Sequence, residues 1–333
     1  MLNTNKLQEV AVLRSFAIIL VVLNHSFAPY TTIMGWNPFY IDHQNVALAS
    51  FFKIWISGRM PLYIFISGYL FSYLLNFRGK YGSTKDFIKK KFHRLIIPFC
   101  IFSVLIGITM KDYDLKNYIY TYASHTHLWF ILMLFWCFLC AYTLKKIKSL
   151  FLQMIILGIS FIARIYIKDI ELPFCLDDLL RYFMWFWLGY IIMFNREKLI
   201  WIFKWQFILF FFIAWVTLAI YNQFVLKYGT FLHLFFILTI LTFTKKLLDN
   251  HIMVVKPWLD RFNECTFGIY IFHNWFIMFL FNSPYFFYRS QFLQFGHFHP
   301  WITPLLIFTL SLFISYMITL LLRSKTRFGK SLL

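Results

Sequence analysis

Arginine and histidine are rare in apolar runs, and this chain puts one of each into a single run. Arg14 and His25 stand in LRSFAIILVVLNHSF with ten residues between them. If that run is helical, eleven steps of about 100° leave the two side chains roughly 20° apart on one face and about 16 Å apart along the axis. A guanidinium in hydrocarbon is costly unless it pairs or meets water, so the stripe carrying both is expected to face other helices or a cavity. Imidazole accepts a proton near neutral pH and can serve as a general base. The same spacing also suits a structurally paired Arg14 and a His25 that caps the outer interface.

Other reactive types are scattered along the chain. Arg59, Met60 and Pro61 lie in FFKIWISGRMPLYIFISGYLF, where a proline inside an apolar run predicts a kink with carbonyls turned to a cavity. Ser67 and Gly68 in the same run lack the GxSxG frame of a nucleophile and read as helix packing. The segment RGKYGSTKDFIKKKFHRLIIP holds seven basic residues against the single acid Asp86. Within it Lys91 and Arg94, one helical turn apart, could hold phosphate oxygens, although such a cluster equally serves as a topology signal facing anionic lipid. His43, His125, His127, His297 and His299 lack an accompanying carboxylate or cysteine at ligand spacing, so no metal site is expected. His273 sits in the middle of FGIYIFHNWF, and a hydrogen-bonded core role and a catalytic one are equally open for it. Cys137 and Cys140, in the apolar LFWCFLCAY, read as packing rather than a redox or zinc pair.

The elements that must position these groups are set by composition. Of 333 residues 61% are hydrophobic and 14% charged, which excludes an ordinary soluble domain. Apolar runs long enough to cross about 30 Å of hydrocarbon as helices recur at 10–28, 47–76, 92–110, 118–144, 150–167, 177–194, 202–221, 229–247, 263–282 and 301–322. The alternating pattern of an outer-membrane barrel is not visible. The expected fold is therefore an all-α polytopic membrane protein of about ten spans. A net charge of +19 raises the question of nucleic acid, and the placement of the 32 basic residues answers it. Loops on one side carry 22 of them and loops on the other only six, so the chain is expected to have both termini cytoplasmic, with no nucleic-acid partner.

The first run carries Arg14 and lacks an Ala-x-Ala cleavage site, so it reads as a retained helix. No long polar stretch or linker interrupts 1–333, which is expected to form a single integral-membrane domain without an appended soluble one. The nucleotide-binding pattern GxxxxGK[ST] does not occur, which argues against a primary pump.

Taken in order, the motifs resemble the membrane acyltransferase-3 family. The resemblance rests on Arg14 and His25 in LRSFAIILVVLNHSF, RMPLYIFISGYLF at 59–71, KKKFHRLIIPF at 89–99, HLWFILMLF at 127–135 and FGIYIFHNWF at 267–276. The second motif is most similar to the sugar O-acetylase branch, with Arg59 and Tyr63 where that branch commonly has His and Phe. The family's Arg-x-x-Arg falls on Lys91 and Arg94, so lysine replaces its first arginine and gives up bidentate phosphate geometry.

This resemblance implies a membrane O-acyltransferase, moving an acyl group, usually acetyl from cytosolic acetyl-CoA, to a hydroxyl of a cell-envelope polysaccharide or lipid-linked sugar. It implies a bacterial inner membrane and acyl-CoA as a substrate, with no bound cofactor. His25 would be the general base or form an acyl intermediate, with Arg14 guiding the donor. Lys91 and Arg94 would bind acyl-CoA, and Arg59 and His127 would bind the acceptor or stabilise an oxyanion. A polysaccharide or lipid-linked sugar transporter, or an export component without acyl transfer, would also be polytopic with intramembrane charges.

Overall fold

The computed structural model describes residues 7–31, 55–110, 127–167, 170–222, 229–326 and 329. Among them the regular elements are helices: α1 Gln8–Thr31, α2 Arg59–Ser72, α3 Thr84–Lys91, α4 Ile97–Met110, α5 Trp129–Thr143, α6 Leu150–Tyr166, α7 Leu176–Phe194, α8 Trp205–Asn222, α9 Gly229–Asp249, α10 Pro257–Asn282, α11 Arg289–Phe298 and α12 Ile302–Lys325. Backbone groups in hydrocarbon must be satisfied within their own segment, so long apolar runs have little choice but helix.

Seven stretches are long and apolar enough to cross a bilayer: Gln8–Tyr30, Arg59–Phe77, Thr84–Met110, Trp129–Lys146, Gly229–Asp249, Pro257–Asn282 and Ile302–Lys325. Two shorter apolar helices, α6 and α8, and α7, whose first turns carry Asp177, Asp178 and Arg181, occupy the places of the remaining expected spans. The chain is an all-α polytopic integral membrane protein.

One local expectation is corrected: over its described part the run at 47–76 is not one continuous kinked helix, since Trp55 is helical, the chain turns at Ile56, Ser57 and Gly58, and α2 starts at Arg59. Pro61 thus lies in the first turn of α2, where its missing N–H would have had no helical partner, directly after the break. Between the last two spans lies the ten-residue α11. His43 and His125 lie outside the described residues.

Internal contacts separate the chain into two units, residues 1–63 with 198–320 and residues 64–197 with 321–333. In the first, α1 packs along α10 and α9, and α8 packs on α9. Leu13, Ala17, Ile18, Val21 and Val22 of α1 are buried, as are Ile269, Tyr270 and Ile271 of α10. Gly268 lets α12 approach α10, since a Cβ there would overlap the Thr319 side chain. Leu209, Phe210 and Ile213 of α8 and Leu306, Leu310 and Phe313 of α12 are exposed, as lipid-facing surfaces require.

In the second unit α7 packs against α5 and α6. Gly68 and Gly189 make a reciprocal contact: a Cβ on Gly68 would overlap the Phe186 carbonyl, and one on Gly189 the Phe65 carbonyl. Ser67-Gly68 is thus a packing site, where two helix backbones touch. Trp187 Nε1 donates to the Gln153 carbonyl at 3.0 Å and Asn195 Nδ2 to Gln153 Oε1 at 2.7 Å, which ties α6 to α7 through groups that hydrocarbon cannot satisfy. The five cysteines are free thiols, and Cys137 packs its sulfur 3.4 Å from that of Met133.

Candidate active site

The seam between α1 and α10 collects the polar groups of the first unit. At one depth Arg14 Nη2 donates to Thr266 Oγ1 at 3.0 Å, and that hydroxyl donates to the Asn263 carbonyl at 2.8 Å. Eleven residues on, His25 is 7% exposed and meets His273 of α10, which is fully buried. Their rings stand edge to face with centroids 4.9 Å apart and planes at 71°. His273 Nε2 lies 3.3 Å from His25 Nδ1, which is itself 2.9 Å from the Val21 carbonyl, and His273 Nδ1 is 2.9 Å from the Ile269 carbonyl. Arg14 and His25 therefore both engage α10, as expected of a stripe that faces other helices.

Asn24, next to His25, is 2% exposed, and its Nδ2 has no acceptor among the described residues. A buried amide left unpaired costs about 1–3 kcal/mol, so it calls for a reason beyond packing. Arg59, at the first position of α2, donates from Nη1 to the Ile56 carbonyl at 3.2 Å and steadies the turn before the helix. Ser57 in that turn is 2.9 Å from His233 Nε2 of α9.

The second unit holds the remaining candidates. Lys91 is only 8% exposed: its ammonium lies 3.2 Å from the centroid of the Phe138 ring and 5.6 Å from those of Phe71 and Tyr81. An ammonium boxed by ring faces is held by cation–π attraction. Arg94, by contrast, is exposed, as are Lys89 and Lys90. Arg94 lies in the π-helical turn Phe92–Ile96, which rotates less per residue than an α-helix and so leaves Arg94 on the exposed side while Lys91 is buried. Burial raises the Tyr81 hydroxyl above its usual range, with the Arg94 charge opposing. His127 is buried before α5, and His297 and His299 are exposed.

Near His127 in sequence, Trp129 lines a cavity of about 230 Å³ with Glu171, Leu172, Cys175, Asp177, Asp178 and Arg181. Arg181 pairs with Asp177 at 3.4 Å and Asp178 at 3.8 Å. Among the described residues no cluster of three metal-ligating side chains occurs.

A family model described as an acyltransferase domain matches residues 7–321, almost the whole length. The chain belongs to the acyltransferase-3 family. Neither a curated protein nor a solved structure matches it significantly. It is a membrane acyltransferase, and its substrates are an acyl donor and an acceptor.

In this acyltransferase, sequence reasoning found Arg14 and His25 but not what holds them. The partner of His25 was visible only as an ionisable residue in mid-span, and no spacing rule links position 25 to position 273. Asn24 and Thr266 carried no signal, since Asn and Thr are unremarkable near a helix surface.

Proposed function

We propose that this acyltransferase moves an acyl group, acetyl from cytosolic acetyl-CoA, to a hydroxyl of an envelope polysaccharide or lipid-linked sugar at a bacterial inner membrane. The observation that carries the reading is the buried His25 engaged by α10, with Arg14 anchored on the same two helices eleven residues below.

In this reading His25 takes the proton of the acceptor hydroxyl as its oxygen attacks the thioester carbonyl. A C–O bond forms, the C–S bond breaks, and the departing CoA sulfur recovers a proton. The carbonyl oxygen gains charge on the way, and the unpaired Nδ2 of Asn24 is a donor able to meet it, with Arg59 and His127 as further candidates for oxyanion or acceptor contacts. Arg14 attracts the anionic donor. Exposed Arg94, with Lys89 and Lys90, draws the CoA phosphates, while Lys91 keeps its ring box intact behind them.

The test expresses wild type and His25→Ala at equal membrane levels in a host of defined surface glycan and quantifies base-labile O-acyl groups by NMR and mass spectrometry. Acylation that appears with wild type and vanishes in the variant supports the reading. A wild type that changes the amount of surface glycan without acylating it would favour export instead.

A further inference from the structure

Two backbone carbonyls, one beside each histidine, assign a proton to each ring. A backbone carbonyl can only accept, so His273 Nδ1, 2.9 Å from the Ile269 carbonyl, must be the N–H of that ring. A neutral His273 then has its lone pair on Nε2. By the same rule His25 Nδ1, 2.9 Å from the Val21 carbonyl, is the N–H of its ring. The contact of 3.3 Å between the rings is therefore donation from His25 Nδ1 to the lone pair of His273 Nε2, shared with Val21. The reverse assignment, a doubly protonated His273 donating to a lone pair on His25 Nδ1, would set that lone pair against the Val21 carbonyl oxygen.

We infer that His273 is the positioning residue of this site: it holds His25 with its proton on Nδ1, so that Nε2 is the basic nitrogen, and it accepts from the imidazolium once Nε2 is protonated. The second clause rests on the acyl-transfer reading; the first does not. Residue type follows from depth. A carboxylate in this place would orient the ring more strongly, but an ionised acid mid-span is expensive, whereas a neutral imidazole supplies an acceptor lone pair without a buried charge.

The test uses the full chain in lipid bilayers with ¹⁵N-labelled histidine, at about pH 8.5, well above the ordinary imidazole pKa of about 6.5. His25→Gln and His273→Gln difference spectra assign the two rings. The expected signature is protonated Nδ1 and bare Nε2 for both; a proton on Nε2 of His25 overturns the inference. Turnover of acetyl-CoA in glycan-bearing membranes gives the second readout. His273→Leu, which offers no acceptor, is expected to lose at least ten-fold in kcat with an unchanged KM for acetyl-CoA, and His273→Gln, whose amide carbonyl accepts, to recover most of it. A Leu variant as fast as wild type, or a Gln variant as slow as Leu in a folded protein, overturns it. A wild type that shows the expected tautomers but transfers no acyl group supports the pair and overturns the proposed reaction.

Discussion

Arg14 donates to the hydroxyl of Thr266 at 3.0 Å, across the same pair of helices that brings His273 to His25. A hydroxyl orients a guanidinium without neutralising it, which suits the role proposed for Arg14, a cation acting on an anionic donor. Hydrogen bonds to charged groups contribute about 1.5–3 kcal/mol, so Thr266→Val is expected to cost roughly ten-fold or more in acyl-CoA turnover. Arg14→Lys, which keeps the charge and loses the planar fork, should also fall short of wild type. Equal rates for Thr266→Val and wild type at matched membrane levels would show that the Thr266 hydroxyl does not position Arg14 for turnover.

Asn24 gives an opposite pairing of effects. Its buried Nδ2 without an acceptor is a cost of about 1–3 kcal/mol in the resting protein. Asn24→Leu, close in volume and apolar, is expected to raise the unfolding temperature in detergent while lowering turnover at least ten-fold. A variant that loses stability together with activity would mark Asn24 as structural.

The Gly68 and Gly189 contact predicts intolerance to the smallest enlargement. A Cβ at either position meets a backbone carbonyl, which no rotamer change can relieve. Overpacking of this kind costs about 1–3 kcal/mol or more, so Gly68→Ala is expected to reduce the folded yield in membranes, measured by fluorescence-detected size exclusion. Gly158→Ala, inside α6 at a position with no neighbour within 4 Å, is the control expected not to lower the yield.

Cys175 should be a slow thiol. Burial pushes it well above its ordinary range, and the charges of Asp178 and Asp177 push the same way, so less thiolate is present near pH 8 than on a free cysteine. The thiolate is the reactive form, hence alkylation is expected to lag behind free cysteine near pH 8 and to quicken as pH rises. Asp177→Asn should speed it. Peptide mass spectrometry after timed iodoacetamide treatment decides, and alkylation at the rate of free cysteine would contradict the environment described for this thiol.

Apolar runs made the helices legible, because a run of twenty apolar residues in hydrocarbon has one backbone solution. The stripe of Arg14 and His25 was legible for the same reason, both being on one regular helix. What was lost depended on departures from that regularity. Pro61 reads as a kink only if its run is continuous, and the turn at Ile56 to Gly58 places it in a first turn instead. Lys91 and Arg94 read as an equivalent pair one turn apart, and the aromatic rings that enclose Lys91 while Arg94 stays exposed come from other elements of the second unit. His273 comes to His25 through tertiary packing across 248 residues, which no local pattern encodes.

The burial of Lys91 beside an exposed Arg94 separates two kinds of loss. Lys91, 3.2 Å from the Phe138 ring centre, contributes to the fold of the second unit, and Lys91→Ala is expected to lower the folded yield by removing both stem packing and cation–π attraction. Arg94 is exposed, so Arg94→Ala should leave folding unchanged and raise KM for acetyl-CoA several-fold, with kcat nearly constant, as loss of uniform donor binding requires. Raising salt should shrink the difference between wild type and Arg94→Ala, since the attraction of CoA phosphates to an exposed cation is screened over about 8–10 Å. A folded Arg94→Ala protein with wild-type KM at low salt would move donor binding elsewhere. A Lys91→Ala protein that folds normally but binds acetyl-CoA poorly would return Lys91 to the donor site despite its enclosure.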